Sequence, residues 1–324
     1  MKKVLLIDLM NMFVRNFSAV RLTNDDGEHV GGVYGTLNSL QSQIKKHGPD
    51  VVSVVWEGKG SSERRRKTLK EYKEGRKFRG LNRHFEYSQE DEKESFARQL
   101  HLLKECLDEL PVYQPAVQYL EADDQIAYSC RNFFKNDAKI IVSTDRDFLQ
   151  LVNNRISVWS PIKKKMYTPE LMKEEFGIDA SNYLLYRTFL GDKSDNIPGV
   201  KGVALKSLIK YFPMMTENRS VDLDELLEHA HDGKDRYKIY KSVIESKDQV
   251  NLNRTLMQLK EVDIAGNLKM MIHDKVTGPV DKLNTFQFKK MFMQDKMYTV
   301  IKDLDTWLAT SFNSLNAYAS MEKN

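Results

Sequence analysis

The sequence has 324 residues, enough for one main domain with a sizeable core and a smaller second domain. Charged residues make up 30% of it and hydrophobic residues 41%, proportions typical of a soluble globular protein. No apolar run approaches the roughly 18–20 residues that a membrane-spanning helix needs, and Asp8 interrupts the apolar start, so we predict neither a membrane segment nor a signal peptide. The two cysteines, Cys106 and Cys130, lie far apart, which predicts neither a disulfide scaffold nor a zinc site and favours an intracellular, cytoplasmic protein.

The net charge of +4 conceals a strong asymmetry along the chain. Residues 59–83 contain eleven Lys and Arg against three Glu, a local balance of +8, so the rest of the chain sums to −4. A concentrated basic segment beside a cluster of acids is what a metal-dependent enzyme with a polyanionic substrate needs. The basic segment shows little apolar periodicity, and we predict that it forms an arch or flap over a site, at about residues 58–90, and not a core element.

Predicted strands and helices alternate over the first 185 residues. The strands are apolar runs at residues 4–7, 51–56, 138–143 and 156–159. One predicted helix follows Asp8, and two more cover residues 34–47 and 96–110. A fourth begins at residues 121–124, and a fifth covers residues 169–176, with Thr168 as its N-cap. This alternation predicts an α/β domain over residues 1–185, with a mostly parallel central sheet flanked by helices.

The pattern becomes mainly helical in a second predicted domain, residues 186–324. A turn-rich loop at 191–202 separates two helices, and a possible strand lies near 262–264. Apolar residues of the C-terminal part are predicted to pack back on the main domain; they are Phe286, Phe288, Met291, Phe292 and Tyr298. A partner-binding tail near residues 307–318 is the alternative interpretation.

Nine acidic residues lie at predicted strand ends, helix starts or turns. They are Asp8, Glu57, Glu121, Asp123, Asp124, Asp145, Asp147, Asp192 and Asp195. In open α/β sheets, sites form at the carboxyl ends of strands. So many like charges around one cleft need compensation, which hard cations such as Mg²⁺ or Mn²⁺ supply. Each acid alone is explained equally well as a cap or a polar turn, but together they predict a two-metal site that clamps a phosphate.

Six short motifs give the sequence a resemblance to a known family. They are LLIDLMN, VVWEGKG, EYKEGRK, LEADDQIA, VSTDRDFLQL and GDKSDNIPGVKGV, in this order over about residues 1–212. Together they resemble the 5′-nuclease family, which comprises flap endonucleases, the 5′-nuclease domain of bacterial DNA polymerase I and bacteriophage 5′→3′ exonucleases of the RNase H type. The resemblance implies a PIN-like fold with a helical arch and a helix–three-turn–helix DNA-binding element at about 186–212.

The resemblance also implies roles for individual residues. Asp8, Glu57, Glu121 and Asp123 would serve a first Mg²⁺, and Asp145, Asp147, Asp192 and Asp195 a second, with Asp124 supporting both. Lys73 and Arg76 match the family's basic pair at the scissile phosphate, and Tyr72 would stack on an unpaired base. Arg64, Arg65 and Lys70 would bind DNA. The alternatives are a solvated helix face for the basic pair and, for these three residues, a mere rise in local potential.

The predicted duplex-binding loop contains Gly199, Val200, Lys201 and Gly202, followed by Lys206. In the family, backbone groups of this loop grip phosphates without reading sequence, often with a bound K⁺. Two residues depart from the family pattern. Glu57 stands where most relatives have Asp and reaches one methylene further. Ala204 stands where a second glycine is usual, which costs about 1 kcal/mol or more if that position needs a positive φ.

We therefore expect a two-metal phosphodiesterase that removes 5′ flaps and RNA primers in DNA replication and repair. Its substrates would be branched or nicked duplex DNA and RNA–DNA hybrids. A clamp or a single-strand-binding protein is a candidate partner, and a monomer is the default state. Two alternatives stay open: a catalytically weak, structure-specific DNA-binding protein on the same fold, and an RNA-directed nuclease of the wider PIN-like group.

Overall fold

A five-stranded sheet forms the centre of the molecule. The computed structural model describes residues 1–75, 88–233 and 236–319. The strands are β1 (Lys3–Asp8), β2 (Val51–Val55), β3 (Ala138–Val142), β4 (Ile156–Ser160) and β5 (Lys165–Tyr167). They follow the order β2-β1-β3-β4-β5, in which β1 to β4 are parallel and β5 is antiparallel to β4.

Helices surround the sheet in the described ranges. They are α1 (Leu9–Ala19), α2 (Gly31–His47), α3 (Glu63–Thr68), α4 (Gln89–Asp108), α5 (Ala122–Asn132), α6 (Pro169–Phe176), α7 (Tyr183–Leu190), α8 (Leu205–Tyr211), α9 (Leu223–Asp232), α10 (Lys238–Glu245), α11 (Lys247–Met257), α12 (Gly266–Thr277), α13 (Thr285–Gln294), α14 (Leu304–Phe312) and α15 (Asn316–Ala319). Short 3₁₀ turns include Arg146–Leu151 after β3 and Lys193–Asp195 after α7.

The first strand contributes side chains to two cores, one on each face of the sheet. Val4 and Leu6 pack in a cluster with residues of α5, whereas Leu5 and Ile7 pack in a cluster with residues of α1, α2 and α4. Successive side chains of a strand point to opposite faces, so an uninterrupted apolar run is buried only where helices cover both faces. This explains why the run at the start of the chain becomes the central strand.

The strand order creates a crevice at one edge of the sheet. From β1 the chain passes to β2 on one side, and it later returns to β3 on the other side of β1. At such a switch point the connections diverge and leave a crevice outside the carboxyl ends of the strands. Asp8 ends β1, and residues 143–147 follow β3, so both acidic segments lie at this crevice.

The predicted α/β class with a mostly parallel, helix-flanked sheet is confirmed, and the four predicted strands correspond to β1 to β4. The possible strand at 262–264 is wrong, because these residues connect α11 to α12 and belong to no strand in the described part of the chain. Ile264 is buried in the α5-side core, so the apolar pattern there reflects packing and not strand pairing. Strand β5 was not predicted because it has three residues, of which one is buried.

The basic segment is only partly described. Residues 59–75 form turns and α3, and residues 76–87, with Arg76, lie outside the described ranges, so the arch expected at 58–90 stays a prediction. None of the described helices combines the length and the apolar character that crossing a membrane requires.

The C-terminal helices pack into the core on the α1 side of the sheet. Phe288, Met291 and Phe292 of α13 are buried in the same cluster as the α1-facing residues of β1. Phe286 and Tyr298 are 79% and 55% exposed, so the expectation that these two residues pack on the core is wrong. Phe286 lies two positions before Phe288, about 200° around the helix, and therefore faces away from the buried side.

Candidate metal centre at the edge of the sheet

Polar side chains join the ends of β1 and β3. One carboxylate oxygen of Asp8 accepts from the Asn11 N–H at 3.2 Å, and the other accepts from the Ser143 hydroxyl at 2.9 Å. The Asn11 side-chain amide donates to the Thr144 hydroxyl at 2.8 Å, and the Asp145 N–H donates to the Ser143 hydroxyl at 3.0 Å. These contacts hold Asp8 and Asp145 at the crevice between the two strands.

The start of α5 supplies a compact acidic trio, Glu121, Asp123 and Asp124. One carboxylate oxygen from each residue lies within 4.8 Å of the others. Asp124 is fully buried and Glu121 nearly so, whereas the Asp123 side chain is 24% exposed. Hard divalent cations prefer oxygen ligands of this kind, so the donor set fits such a cation.

Cations from the basic segment neutralise the acidic trio. The Arg65 guanidinium donates to Glu121, donates to Asp124 at 2.8 Å and lies 3.5 Å from Asp123. The Lys73 ammonium donates to Glu121 at 2.5 Å. The Arg64 guanidinium also donates to Asp124 at 2.8 Å, so three positive charges lie where the three carboxylates converge.

The expectation that Arg65 contacts DNA is wrong for the observed conformation. Its side chain is 3% exposed, and its Nε donates to the Leu256 carbonyl at 2.8 Å, so its donors are used within the protein. Tyr72 is also buried, with its hydroxyl 3.1 Å from Glu121. Within the described part of the basic segment, Arg65 and Tyr72 are therefore packed against the acids, whereas most of their neighbours are exposed or half-buried. The more accessible cations of this segment include Lys70.

Arg187 of α7 organises a second acidic group. One of its terminal nitrogens donates to both Asp147 and Asp192 at 2.8 Å. Asp145 accepts from the Asp147 N–H, also at 2.8 Å. Asp195 belongs to the short 3₁₀ turn that follows Asp192.

A cavity of about 390 Å³ lies between the two acidic groups. Its lining includes eight of the predicted site residues, namely Arg65, Tyr72, Lys73, Asp123, Asp145, Asp147, Asp192 and Asp195. Asp8, Glu57, Glu121 and Asp124 do not line it. Three of them contact residues that do: Asp8 contacts Asn11, Glu121 contacts Lys73, and Asp124 contacts Arg65.

Burial raises the pKa of several of these carboxyls. It raises the pKa of Asp8 to about 7, and together with repulsion from a neighbouring carboxylate it raises the pKa of Glu121 and of Asp147 to about 7. Asp192 differs: burial is outweighed by hydrogen bonds from Ser194 and by the nearby guanidinium, and its pKa is lowered. Burial is the largest cause of the raised values, and a divalent cation bound to these carboxylates would favour their charged form.

The two departures from the family pattern have a structural explanation. Glu57 extends from the end of β2 to the start of α5, where it accepts from the Ala122 N–H at 2.9 Å and from the Ser61 hydroxyl at 2.9 Å. Ala204 has a φ of −141°, an extended conformation, so the strain considered for this position does not arise. Among residues 199–204, the positive φ belongs to Gly202, at 78°.

The connection from α7 to α8 carries the residues predicted to grip duplex DNA. Lys201 and Lys206 are exposed there, whereas Val200 is buried. A Cβ on Gly199 would lie 2.1 Å from the Leu190 carbonyl oxygen, so only glycine fits. None of these loop residues lines the described cavity.

Sequence reasoning assigned no role to several polar residues at or beside the site. Asn11 and Arg187 line the cavity, and Asn196 directly follows Asp195. Asn11 and Asn196 lie inside the recognised motifs, so a signal was present without an assigned role. Arg187 lies outside them, and its only signal is a charge in the apolar stretch five residues before Asp192.

A carboxylate-lined cavity at the switch point of a mostly parallel sheet defines an α/β protein with a centre suited to divalent cations. Residues 3–177 match the 5′-3′ exonuclease, N-terminal resolvase-like domain, and the chain belongs to this family.

Known proteins support the same family. Flap endonuclease Xni from Shewanella woodyi is 31% identical over 270 residues, which cover 80% of this chain and 99% of that protein. Thermostable DNA polymerase I from Thermus thermophilus is 35% identical over 210 residues, 64% of this chain, but the chain spans only 23% of the polymerase. The bacteriophage T5 flap endonuclease, solved with DNA and metal ions, is 20% identical with a TM-score of 0.65 over 91% of this chain and 100% of that chain. This last likeness confirms the predicted fold.

Proposed function

We propose that this protein is a structure-specific 5′ nuclease that hydrolyses phosphodiester bonds at 5′ flaps and RNA primers in DNA replication and repair. The observation that carries the proposal is the cavity in which Asp123, Asp145 and Asp195 meet Lys73, in a member of the 5′-3′ exonuclease family. One relative is named a flap endonuclease, and the match covers 99% of that relative and 80% of this chain. The proposed substrates are branched or nicked duplex DNA, 5′ flaps and RNA–DNA hybrids.

Two Mg²⁺ ions, with Mn²⁺ as a substitute, are the proposed cofactors. The first set of ligands is Asp8, Glu57, Glu121 and Asp123, the second is Asp145, Asp147, Asp192 and Asp195, and Asp124 supports both. A bound pair of such ions supplies an activated water and stabilises the leaving oxygen. Because Arg65 and Lys73 pair with oxygens of the acidic trio, these side chains compete with a cation for the same atoms.

Lys73 and Tyr72 are the described residues proposed to act on the substrate. Lys73 lines the cavity, and its ammonium would contact the scissile phosphate and offset the charge that develops there. Tyr72 lines the same cavity and would stack on an unpaired base beside that phosphate. Arg76, outside the described residues, is proposed as the second member of the basic pair.

The loop between α7 and α8 is proposed to hold the duplex. Backbone groups of residues 199–202, with a bound K⁺, would contact phosphates, and the exposed Lys201, Lys206 and Lys70 would add positive charge. Arg64 is proposed to do the same, from a half-buried position in which its guanidinium donates to Asp124 at 2.8 Å. A nuclease domain at 1–185 and a mainly helical domain at 186–324 complete the proposed organisation. We further propose a monomer that acts inside the cell, with a clamp or a single-strand-binding protein as candidate partner.

A 5′-flap duplex labelled separately at each end tests the proposal in Mg²⁺, in Mn²⁺ and in EDTA. Metal-dependent cuts at the junction support the flap nuclease, and release of short products from the 5′ end supports the exonuclease form. An all-RNA flap distinguishes an RNA-directed nuclease, which would cut it preferentially. Binding without cleavage in either metal contradicts the proposal.

A catalytically weak, structure-specific DNA-binding protein is the second candidate. Arg65 favours it, because its guanidinium already occupies the space among the carboxylates of the acidic trio. Titrating Mg²⁺ into a DNA-binding assay under turnover conditions separates the two candidates. A nuclease loses the intact substrate as Mg²⁺ rises, whereas a binding protein retains it.

A further inference from the structure

Asn196 connects residues 71–74 of the basic segment to the turn that precedes the duplex-binding loop. Its side-chain amide donates to the carbonyl oxygens of Glu71 and Glu74, both at 2.9 Å. Between these two acceptors, the Lys73 N–H donates to the Asp195 carbonyl at 3.2 Å. Three hydrogen bonds thus join residues 71–74 to residues 195–196, across about 120 positions of sequence.

The turn that carries Asn196 is built to present its side chain. Asp192 and Ile197 exchange two backbone hydrogen bonds, of 2.9 and 2.8 Å, which close the turn. Asn196 adopts the left-handed conformation, with a φ of 60°, which asparagine tolerates better than most residues. Ile197 packs with Tyr72 in a small apolar cluster, so the two segments also share a buried contact.

Lys73 is held in an unusual conformation by these contacts. Its φ is 54°, in the left-handed region that a non-glycine residue adopts only when its surroundings impose it. From this position its ammonium reaches Glu121 and the cavity. The carbonyls bound by Asn196 lie two positions before Lys73 and one position after it, so the amide fixes the backbone from which the ammonium extends.

We propose that Asn196 is a positioning residue, which sets the place of Lys73 in the site and couples it to the duplex held by residues 199–206. The proposal deepens the proposed function and rests on it. A duplex on that loop orders the turn at 192–197, and the turn, through the Asn196 amide, orders the backbone of Lys73. Asn196 itself contacts no reacting atom; loss of its amide misplaces the ammonium, and misplacement of about 1 Å is enough to slow a reaction about 100-fold.

Two substitutions separate the amide from the backbone conformation. Asn196→Gly accepts the positive φ without strain and removes both donors. Asn196→Asp keeps the side-chain shape and replaces the donors by an oxygen, which repels the two carbonyls. For both variants we expect single-turnover cleavage of a 5′-flap duplex in Mg²⁺ to fall by about 10- to 100-fold. The Kd for a nicked duplex in EDTA should change by less than about threefold, because the residues proposed to contact phosphates are intact.

Hydrogen exchange gives a readout that does not depend on cleavage. The amides of residues 72–74 should exchange faster in both variants than in the wild type, since the bonds that hold this segment are lost. Asn154→Gly is the matched control: Asn154 is exposed, has no hydrogen bond to any described residue and precedes β4, far from the cavity. This control should cleave and exchange like the wild type.

A double-mutant cycle with Lys73→Ala decides whether Asn196 acts through Lys73. If it does, Asn196→Gly adds almost nothing to the loss already caused by Lys73→Ala. Additive losses, or wild-type rates and exchange in both Asn196 variants, would overturn the proposal. Failure of the wild type itself to cleave refutes the nuclease function instead, and the exchange experiment then still reports whether Asn196 holds residues 71–74.

Discussion

Among single residues, Asp123 provides the sharpest test of the metal centre. It belongs to the acidic trio and lines the cavity, and its side chain accepts from the Asp124 N–H at 2.7 Å. Asp123→Asn retains an oxygen for that hydrogen bond but removes the negative charge. We expect single-turnover flap cleavage to fall by about 100-fold or more, with less than about a threefold change in duplex affinity measured in EDTA. The exposed Asp281→Asn is the control, and full activity in Asp123→Asn would remove Asp123 from the site.

Lys73 should affect the rate of cleavage far more than the affinity for DNA. Its ammonium lines the cavity, 2.5 Å from Glu121, and is proposed to offset charge in the transition state. Lys73→Ala should slow single-turnover cleavage by about 100-fold and leave flap binding within a few-fold. Lys67→Ala, an exposed neighbour on α3, should leave the rate nearly unchanged. A loss confined to binding would reassign Lys73 to electrostatic steering of the substrate.

Short motifs made most acidic residues predictable, because each lies at a strand end or helix start that local sequence reveals. Asp8 and Glu121 are examples. Their partners were not predictable in this way. Arg65 reads as one of several charges in a basic run, and only the folded chain shows that it is buried against α5. Which of several similar cations is buried depends on contacts 50 to 60 positions away, and periodicity carries no such information.

Among the elements, α3 carries Arg65, whose guanidinium pairs with all three carboxylates of the acidic trio; we call this set of ion pairs the clamp. Removing one partner of a buried ion group leaves uncompensated charge, which typically costs about 3–5 kcal/mol. Arg65→Gln should therefore lower the free energy of unfolding by about that amount in EDTA, measured by urea denaturation. Added Mg²⁺ should restore part of the loss, since a cation bound to the native trio replaces the missing charge. Lys67→Gln should change stability by less than about 0.5 kcal/mol, and an Arg65→Gln protein as stable as the wild type in EDTA would contradict the clamp.

The elements that sequence predicted well are those with strong local signals. Helix α6 begins at Pro169 behind the Thr168 cap and ends before Gly177, whose φ is 68°, as the capping residues indicate. Short or half-exposed elements such as β5 and α3 lack such signals. Residues 262–264 have the apolar character of a strand but pair with no strand in the described part of the chain. Whether a strand is available for pairing depends on the fold and not on the segment itself.

In the molecule as a whole, the acidic groups make stability depend on pH and on metal. Asp8, Glu121 and Asp147 have a folded-state pKa of about 7, above the range of about 4 expected when unfolded, so between pH 4 and 7 the folded state binds more protons. Their contribution to the free energy of unfolding therefore falls as pH rises through this window. His47, whose pKa burial lowers to about 4, acts in the opposite direction between pH 4 and 6.5, but it is one group against three.

We expect the metal-free protein to melt about 5 °C or more lower at pH 8 than at pH 5.5, and Mg²⁺ to raise Tm more at pH 8 than at pH 5.5. Thermal melts by circular dichroism in EDTA and in Mg²⁺ at both pH values measure this. His47→Gln should leave the metal dependence unchanged. A Tm in EDTA that rises steadily from pH 5.5 to pH 8 would show that these carboxyls are not buried as described.

The packing of α13 and α14 against the α1 side of the core has a consequence for how the chain is made. Phe288, Phe292, Trp307 and Phe312 enter the same cluster as the first strand, although nearly 300 positions separate them. A ribosome delivers these aromatic rings nearly 300 residues after the first strand, so the apolar surface that they cover stays exposed to water until they emerge. A chain interrupted near residue 280 would retain all nine carboxylates of the proposed metal site. It would still expose the apolar surface that α13 and α14 cover to chaperones, proteases and other copies of itself.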